Sequence, residues 1–206
     1  MCKNGSHKIK KRSQYMTAMI LRNGTPLTTF KQHQSIYLRR SFLPLRRDGF
    51  WQIQSGVVRT FSWLDDGTVV VFGLWGKGDI ISPLLSKAHS FKMECLTDVK
   101  ITYLSLHQQT EINQALISQT QEIQQLMTIK HYRPVNEALM QLLRWLGKKF
   151  GEERKNGILI DLRLTHQEIA ETICTTRVTV TRLLSLFEKR GIIDRPTKHS
   201  IILKYN

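Results

Sequence analysis

Cysteine is scarce in this chain. Its 206 residues hold three, Cys2, Cys95 and Cys174, far apart and odd in number. Without a CxxC pair or a Cys/His cluster, a disulfide framework, a zinc site and an iron–sulfur site all lack their donors. The seven histidines (His7, His33, His89, His107, His131, His166 and His199) show neither HxH nor HxxxH spacing. No metal ligand and no catalytic residue is therefore expected. Long apolar runs are missing too, none approaching the roughly 20 residues of a membrane span. The opening MCKNGSHKIKKRSQYMTAMIL is basic, but its apolar stretch is too brief for a signal peptide. A protein of the reducing cytoplasm, with no membrane partner, is the expectation.

Acid is also short, 16 Asp and Glu against 31 Lys and Arg, for a net charge of +15. The imbalance is uneven. Residues 1–47 hold 11 bases and no acid, residues 48–163 hold 13 against 12, and residues 164–206 hold 7 against 4. A polyanion is the natural partner, nucleic acid first and a membrane surface second. The terminal Lys8, Lys10, Lys11 and Arg12 read equally well as a solvated tail or as a DNA-contacting arm. The length suits one large domain or two small ones, and a hydrophobic content of 41% is enough for cores.

The most informative stretch runs from Leu164 to Ile193. Thr165 followed three residues later by Glu168 is a capping box, in which hydroxyl and carboxylate satisfy each other's backbone amides. Ile169, Ala170 and Ile173 then keep helical spacing for about two turns. After a break at Cys174-Thr175, the hydroxyl of Thr175 or Thr176 can cap a second helix. That helix repeats Val180, Leu183, Leu184 and Phe187 on one face, and Gly191 supplies a stop. Arg177, Val178, Thr181 and Arg182 fall away from the stripe. Two short helices joined by a tight turn, with arginines on the open face of the second, make a helix-turn-helix. The bland alternative is a helical hairpin with solvated arginines.

These residues resemble the DNA-binding helices of the cAMP receptor protein/FNR superfamily, most of all the cyanobacterial global nitrogen regulator branch. There LTHQ.IAE.I..TRVTVTRLL is nearly a signature. It is carried here by Leu164 to Gln167, Ile169 to Glu171, Ile173, and Thr176 to Leu184. Cys174 departs from the pattern, standing where the family usually has a turn glycine; a left-handed Cys there costs about 1 kcal/mol. The resemblance implies double-stranded DNA as partner, read as a homodimer, with RNA polymerase as a further partner. The DNA-contacting set it implies is Thr165, His166, Gln167, Thr175, Thr176, Arg177, Val178, Thr179, Thr181 and Arg182. Matching positions in that branch read GTA half-sites, so an inverted repeat resembling GTA…TAC is expected. Relatives control nitrogen assimilation or respond to sulfur or carbon supply, which points to nutrient-assimilation genes.

Upstream, from about Phe30, short β-branched and aromatic runs alternate with turns. Phe50 to Ile53, Val57 to Trp63, Val69 to Trp75, Met93 to Cys95 and Lys100 to Leu106 read as strands, broken at Gly56, Asp65 to Gly67 and Gly76 to Asp79. A small antiparallel roll or sandwich follows. The order of Gln54 to Arg59, Asp65 to Gly67 and Gly76 to Asp79 matches, loosely, the β-roll of the same superfamily's sensing domains. The cyclic-nucleotide cassette should come next, but Ile80 to Leu85 runs IISPLL and no Arg-Ser pair precedes Leu96. Lacking that arginine for the phosphate, cAMP is not expected as a ligand. The nitrogen-regulator branch holds 2-oxoglutarate with two arginines, and His89 and Gln119 stand at those positions. Arg22, Arg39, Arg40 and Lys92 are candidate substitutes. Another small molecule, or none, remains open.

Gln108 to Lys130 contains neither Gly nor Pro. Ile112, Leu116, Gln119, Ile123, Leu126 and Lys130 recur at alternating three and four residues, a coiled-coil-like seam with polar Gln119 at its middle. Ile112, Leu116, Gln119, Ile123 and Leu126 are the expected dimer contacts; the alternative is a helix lying on its own domain. Arg133-Pro134 marks a hinge, and Val135 to Phe150 forms a further helix that buries Ala138, Leu139, Leu142, Leu143 and Leu146. Gly151 to Gly157 reads as a polar turn and Ile158 to Ile160 as a short strand. Ile192-Ile193 and Ile201 to Leu203, around the turn Pro196 to Ser200, read as a two-stranded wing.

The expected fold class is α+β, in four parts: a basic tail with a short helix at Met16 to Leu21 (1–29), a β-roll (30–107), a dimerisation helix (108–133) and a winged helix-turn-helix (134–206). A DNA-binding regulator is the leading function, with no enzymatic activity. The other classes are a sensor module that does not bind DNA and a cupin-like metal enzyme on the roll.

Overall fold

The computed structural model describes residues 34–197 and 199–205; the basic tail, the helix expected at Met16 to Leu21, and Arg22 lie outside them. Seven strands come first: β1 (Gln34–Tyr37), β2 (Gly49–Ser55), β3 (Val58–Trp63), β4 (Val69–Trp75), β5 (Ile80–Ile81), β6 (Lys92–Cys95) and β7 (Val99–Ser105). They form two antiparallel sheets, ordered β1-β7-β2-β5 and β4-β3-β6. Alternate side chains of both sheets, Ile53, Val58, Met93, Cys95, Val99 and Ile101 among them, meet in one fully buried core. The five expected strands are β2, β3, β4, β6 and β7. Ile80-Ile81, where a phosphate cassette would begin, is instead a strand pairing with Trp51 and Gln52. β1 carries no apolar alternation, because it is a half-exposed edge strand.

Two helices follow, α1 (Gln109–His131) and α2 (Val135–Phe150), broken at the expected proline. α2 buries Ala138, Leu139, Leu142, Leu143 and Leu146 as its periodicity requires, and Trp145 besides. Then come β8 (Glu152–Arg154), β9 (Gly157–Ile160), α3 (His166–Thr172), α4 (Arg177–Lys189), β10 (Ile193–Thr197) and β11 (Ser200–Lys204). The wing is therefore four-stranded, in the order β10-β11-β9-β8, rather than two-stranded. The stretch read as a polar turn supplies β8, an outer strand whose three residues are all exposed and give no pattern. Pro196, expected in a turn, sits within β10. An edge strand tolerates it, since proline cannot donate to a ladder and one side of an edge needs no donor.

A second core joins α2, α3, α4 and the wing, and takes in Leu126 and Ile129 of α1 and Val57, Leu74 and Leu96 of the roll. The roll and the helix-turn-helix thus share apolar contacts. Charges join them as well. Arg59 of β3 donates to Glu94 Oε2 at 2.8 Å and to Glu171 Oε2 of α3 at 2.6 Å. Arg40 bridges Glu94 Oε1 (3.0 Å) and Glu168 of α3. On the other side, Lys149 of α2 lies 3.0 Å from Asp79 Oδ2 of the roll and 3.2 Å from Glu122 Oε2 of α1.

The α1 seam divides between two surroundings. Ile112, Gln119 and Leu126 are buried within the chain itself; Ile112 packs with Phe50, Ile80 and Leu104. These three are therefore not available to a partner as the seam reading expected. Leu116 is partly buried against the same core as Ile112, whereas Ile123 is exposed, with Ile117 and Met127 more exposed still.

Candidate nucleic-acid interface

α3 opens with the expected capping box. Thr165 Oγ1 accepts from Glu168 N, and Glu168 Oε2 accepts from Thr165 N at 2.7 Å. Glu168 is buried, which by itself would raise its pKa. Bonds from Arg40 and from Thr165 outweigh that and hold the carboxyl below the ordinary glutamate range. The same side chain thus starts the helix and ties it to the roll.

Between the helices Cys174 adopts φ 56°, a left-handed conformation that glycine takes most easily. Thr176, not Thr175, caps α4, its Oγ1 accepting from Thr179 N at 3.2 Å. Gly191, at φ 70°, ends the unit. Val180, Leu183, Leu184 and Phe187 are buried under α4 as their spacing predicts.

The other face of α4 stands open. Arg177, Val178, Thr181, Arg182 and Ser185 line one shallow surface, and Val178 is 77% exposed. Val178 thus takes no part in the core beneath α4. Neither Arg177 nor Arg182 meets a carboxylate among the described residues. Thr165, Thr176 and Thr179 are taken up in caps, Thr179 Oγ1 lying 2.9 Å from Thr176 Oγ1. Thr175 sits in the turn, its N–H donating to Ala170 O. Gln167 is exposed on α3 and donates to Glu171 Oε1 at 3.0 Å. His166 Nδ1 reaches across to Thr181 Oγ1 at 2.8 Å. Burial, then the charges of Arg195, Arg177 and His199, hold its imidazole below the ordinary histidine range. Ser185, Arg195 and His199 escaped the sequence reading; Ser185 was legible as one turn beyond Arg182, whereas the wing residues come near only through the fold.

On the roll, the candidate ligand arginines are engaged elsewhere. Arg40 is held by Glu94 and Glu168, and Arg39 donates to Leu96 O (3.0 Å) and Arg163 O (3.2 Å). Lys92 is half-buried on β6. His89 is exposed, and Gln119 is buried with no partner for its Oε1 among the described residues. Arg39 and Arg40 are thus not free to grip a small carboxylate. Among the described residues no three His, Cys, Asp or Glu side chains converge as a metal site would require.

Residues 137–205 match the Crp-like helix-turn-helix domain. The chain is 38% identical over 176 residues to the regulatory protein CysR of Synechococcus elongatus, covering 84% of each. It is 42% identical over 81 residues to the global nitrogen regulator of Synechocystis, 39% of this chain and 36% of that one. The nitrogen-regulator similarity is thus local, whereas the similarity to CysR runs through most of both chains. Among solved structures, a CRP-family transcriptional regulator from Thermus thermophilus superposes with a TM-score of 0.72 at 19% identity, over 83% of this chain and 92% of that one. FixK2 from Bradyrhizobium japonicum gives 0.70 at 15%, over 85% and 94%. Both share the fold of roll, long helix and winged helix-turn-helix. The chain belongs to the CRP/FNR family of transcription regulators.

Proposed function

We propose that this regulator binds an inverted repeat resembling GTA…TAC as a homodimer, and acts through RNA polymerase on nutrient-assimilation genes. The observation that carries this is the face of α4, where Arg177, Val178 and Arg182 stand exposed with no acidic partner among the described residues. Arginine is the preferred bidentate partner of guanine O6 and N7, and a valine methyl suits the C5-methyl of thymine. Thr181, and Gln167 and His166 at the start of α3, flank that face toward the phosphates. In this reading the roll (30–107) positions the helix-turn-helix (134–206) and performs no catalysis. The nutrient setting comes from the nitrogen regulators' name.

Dimerisation in this reading uses the outward flank of α1, where Ile117, Ile123 and Met127 are exposed beside Leu116, itself partly buried against Phe50, Ile80 and Leu104. A pair of chains lets two α4 helices enter successive major grooves, with half-sites about one helical turn apart. Leu116→Glu with Ile123→Glu should yield monomers in sedimentation; a double variant that stays dimeric removes this flank from the interface.

The test of base reading is selection from a randomised duplex library. Wild type should enrich a GTA-like palindrome. Val178→Glu should shift the base beside the guanine, because a carboxylate accepts from cytosine where valine cannot. Lys189→Ala should weaken all sequences alike. Enrichment of no palindrome by wild type overturns the assignment.

A further inference from the structure

His166 is bonded to the recognition helix through a directed chain. Its Nδ1 lies 2.8 Å from Thr181 Oγ1, and that Oγ1 lies 2.9 Å from the carbonyl oxygen of Arg177. A carbonyl has no hydrogen to give, so the Thr181 hydroxyl donates to it. The remaining contact is then Nδ1–H donating to Oγ1. With the bonds in that order, the neutral ring carries its proton on Nδ1 and leaves Nε2 a bare acceptor. Among the described residues nothing bonds to Nε2, and the ring is only partly covered.

The charges around the ring are mostly positive. Arg195 faces it from β10 and Arg177 from α4, with the His199 imidazole beside them in the wing turn. Arg195 is itself paired with Glu188. The acids of α3 are engaged elsewhere, Glu168 with Arg40 and Thr165, Glu171 with Arg59 and Gln167. In a helix-turn-helix whose second helix lies in the major groove, the first crosses the phosphate backbone. On that reading of the site, on which this inference rests, His166 stands beside a DNA phosphate. A phosphate oxygen needs a donor, and neutral Nε2 offers none.

We propose that His166 is a proton-gated phosphate contact: it takes up a proton from solvent as DNA binds, and its Nε2–H then donates to the backbone. In the free protein burial and the neighbouring cations keep the ring neutral at pH 7.5. The phosphate opposes those cations and raises the ring's proton affinity. The pKa in the complex thus lies above that of the free protein, so binding tightens as pH falls through the interval between them. The Nδ1–H···Thr181 bond is present in both protonation states, so the reading face does not change. Acid should therefore strengthen binding to every sequence and leave sequence preference intact.

The experiment is fluorescence anisotropy from pH 8.0 to 6.0, with a GTA…TAC duplex and a scrambled duplex, on wild type, His166→Gln, His166→Arg and His199→Gln. Wild type should gain about three- to tenfold in affinity between pH 7.5 and 6.0, within the roughly tenfold per unit that one linked proton allows. The gain should be alike on both duplexes. His166→Gln should lose most of the slope, and His166→Arg should bind tightly with little slope. His199→Gln should keep the slope. A slope unchanged in His166→Gln, or abolished only in His199→Gln, overturns this inference while leaving DNA binding in place. Wild type that binds neither duplex at any pH overturns the DNA-binding reading, and this inference with it.

Discussion

Arg40 and Arg59, on the roll, end on carboxylates of the same chain, whereas Arg177 and Arg182, on α4, end in solvent. Arg59 is only 7% exposed and touches both Glu94 and Glu171. Desolvating a guanidinium on this scale is tolerable only with close carboxylate partners. The same residue type therefore does two jobs. Buried and paired, it ties the helix-turn-helix to the roll; exposed on α4, it meets no carboxylate among the described residues. An arginine-rich composition alone does not separate the two.

The sharpest way to break the contrast is to remove a paired arginine. Arg59→Ala leaves Glu171 without its cation and Glu94 with Arg40 alone. Breaking a buried pair in this way costs about 3–5 kcal/mol, which urea denaturation should register. On the open face, Arg182→Ala should cost about 1–3 kcal/mol of DNA affinity and flatten the preference at the guanine. Its stability should stay within about 0.5 kcal/mol of wild type, as surface changes usually do. Thr165→Ala, which removes the hydroxyl half of the α3 capping box, should lower stability by about 1 kcal/mol.

Smallest is the acid effect. Glu168 has a pKa below its ordinary value of 4.5 in the folded protein. Its stabilisation is accordingly complete above the unfolded value and lost as pH falls through the folded one. Stability measured from pH 6 downward should decline across that interval in wild type, and less steeply in Glu168→Gln.

How much of this was legible depends on the range over which each interaction acts. The helix-turn-helix could be read almost residue by residue, because a capping box, an apolar stripe and a left-handed turn are all local. The roll's five patterned strands could be read too, but β1 and β8 could not, as exposed edges carry no alternation. The clasp between roll and α3 was out of reach: Arg59 and Glu171 lie 112 residues apart, and nothing in either neighbourhood signals the other. Arg40 accordingly read as a candidate ligand group. The α1 seam shows a different limit. A three-four repeat says that a helix has an apolar face, not whose surface covers it. Ile112, Gln119 and Leu126 face their own chain, Leu116 is partly buried against the same core as Ile112, and Ile123 lies toward the open side.

The most direct measurement is the ratio of affinities for a GTA…TAC duplex and a scrambled duplex at one fixed salt concentration. Wild type should prefer the palindrome by about a thousandfold or more, the usual margin of specific over non-specific binding. Arg177→Ala with Arg182→Ala should lose most of that preference while keeping weak, salt-sensitive binding to both. A wild-type ratio near one, or a double variant that keeps the full preference, would contradict the assignment of α4 as the reading helix.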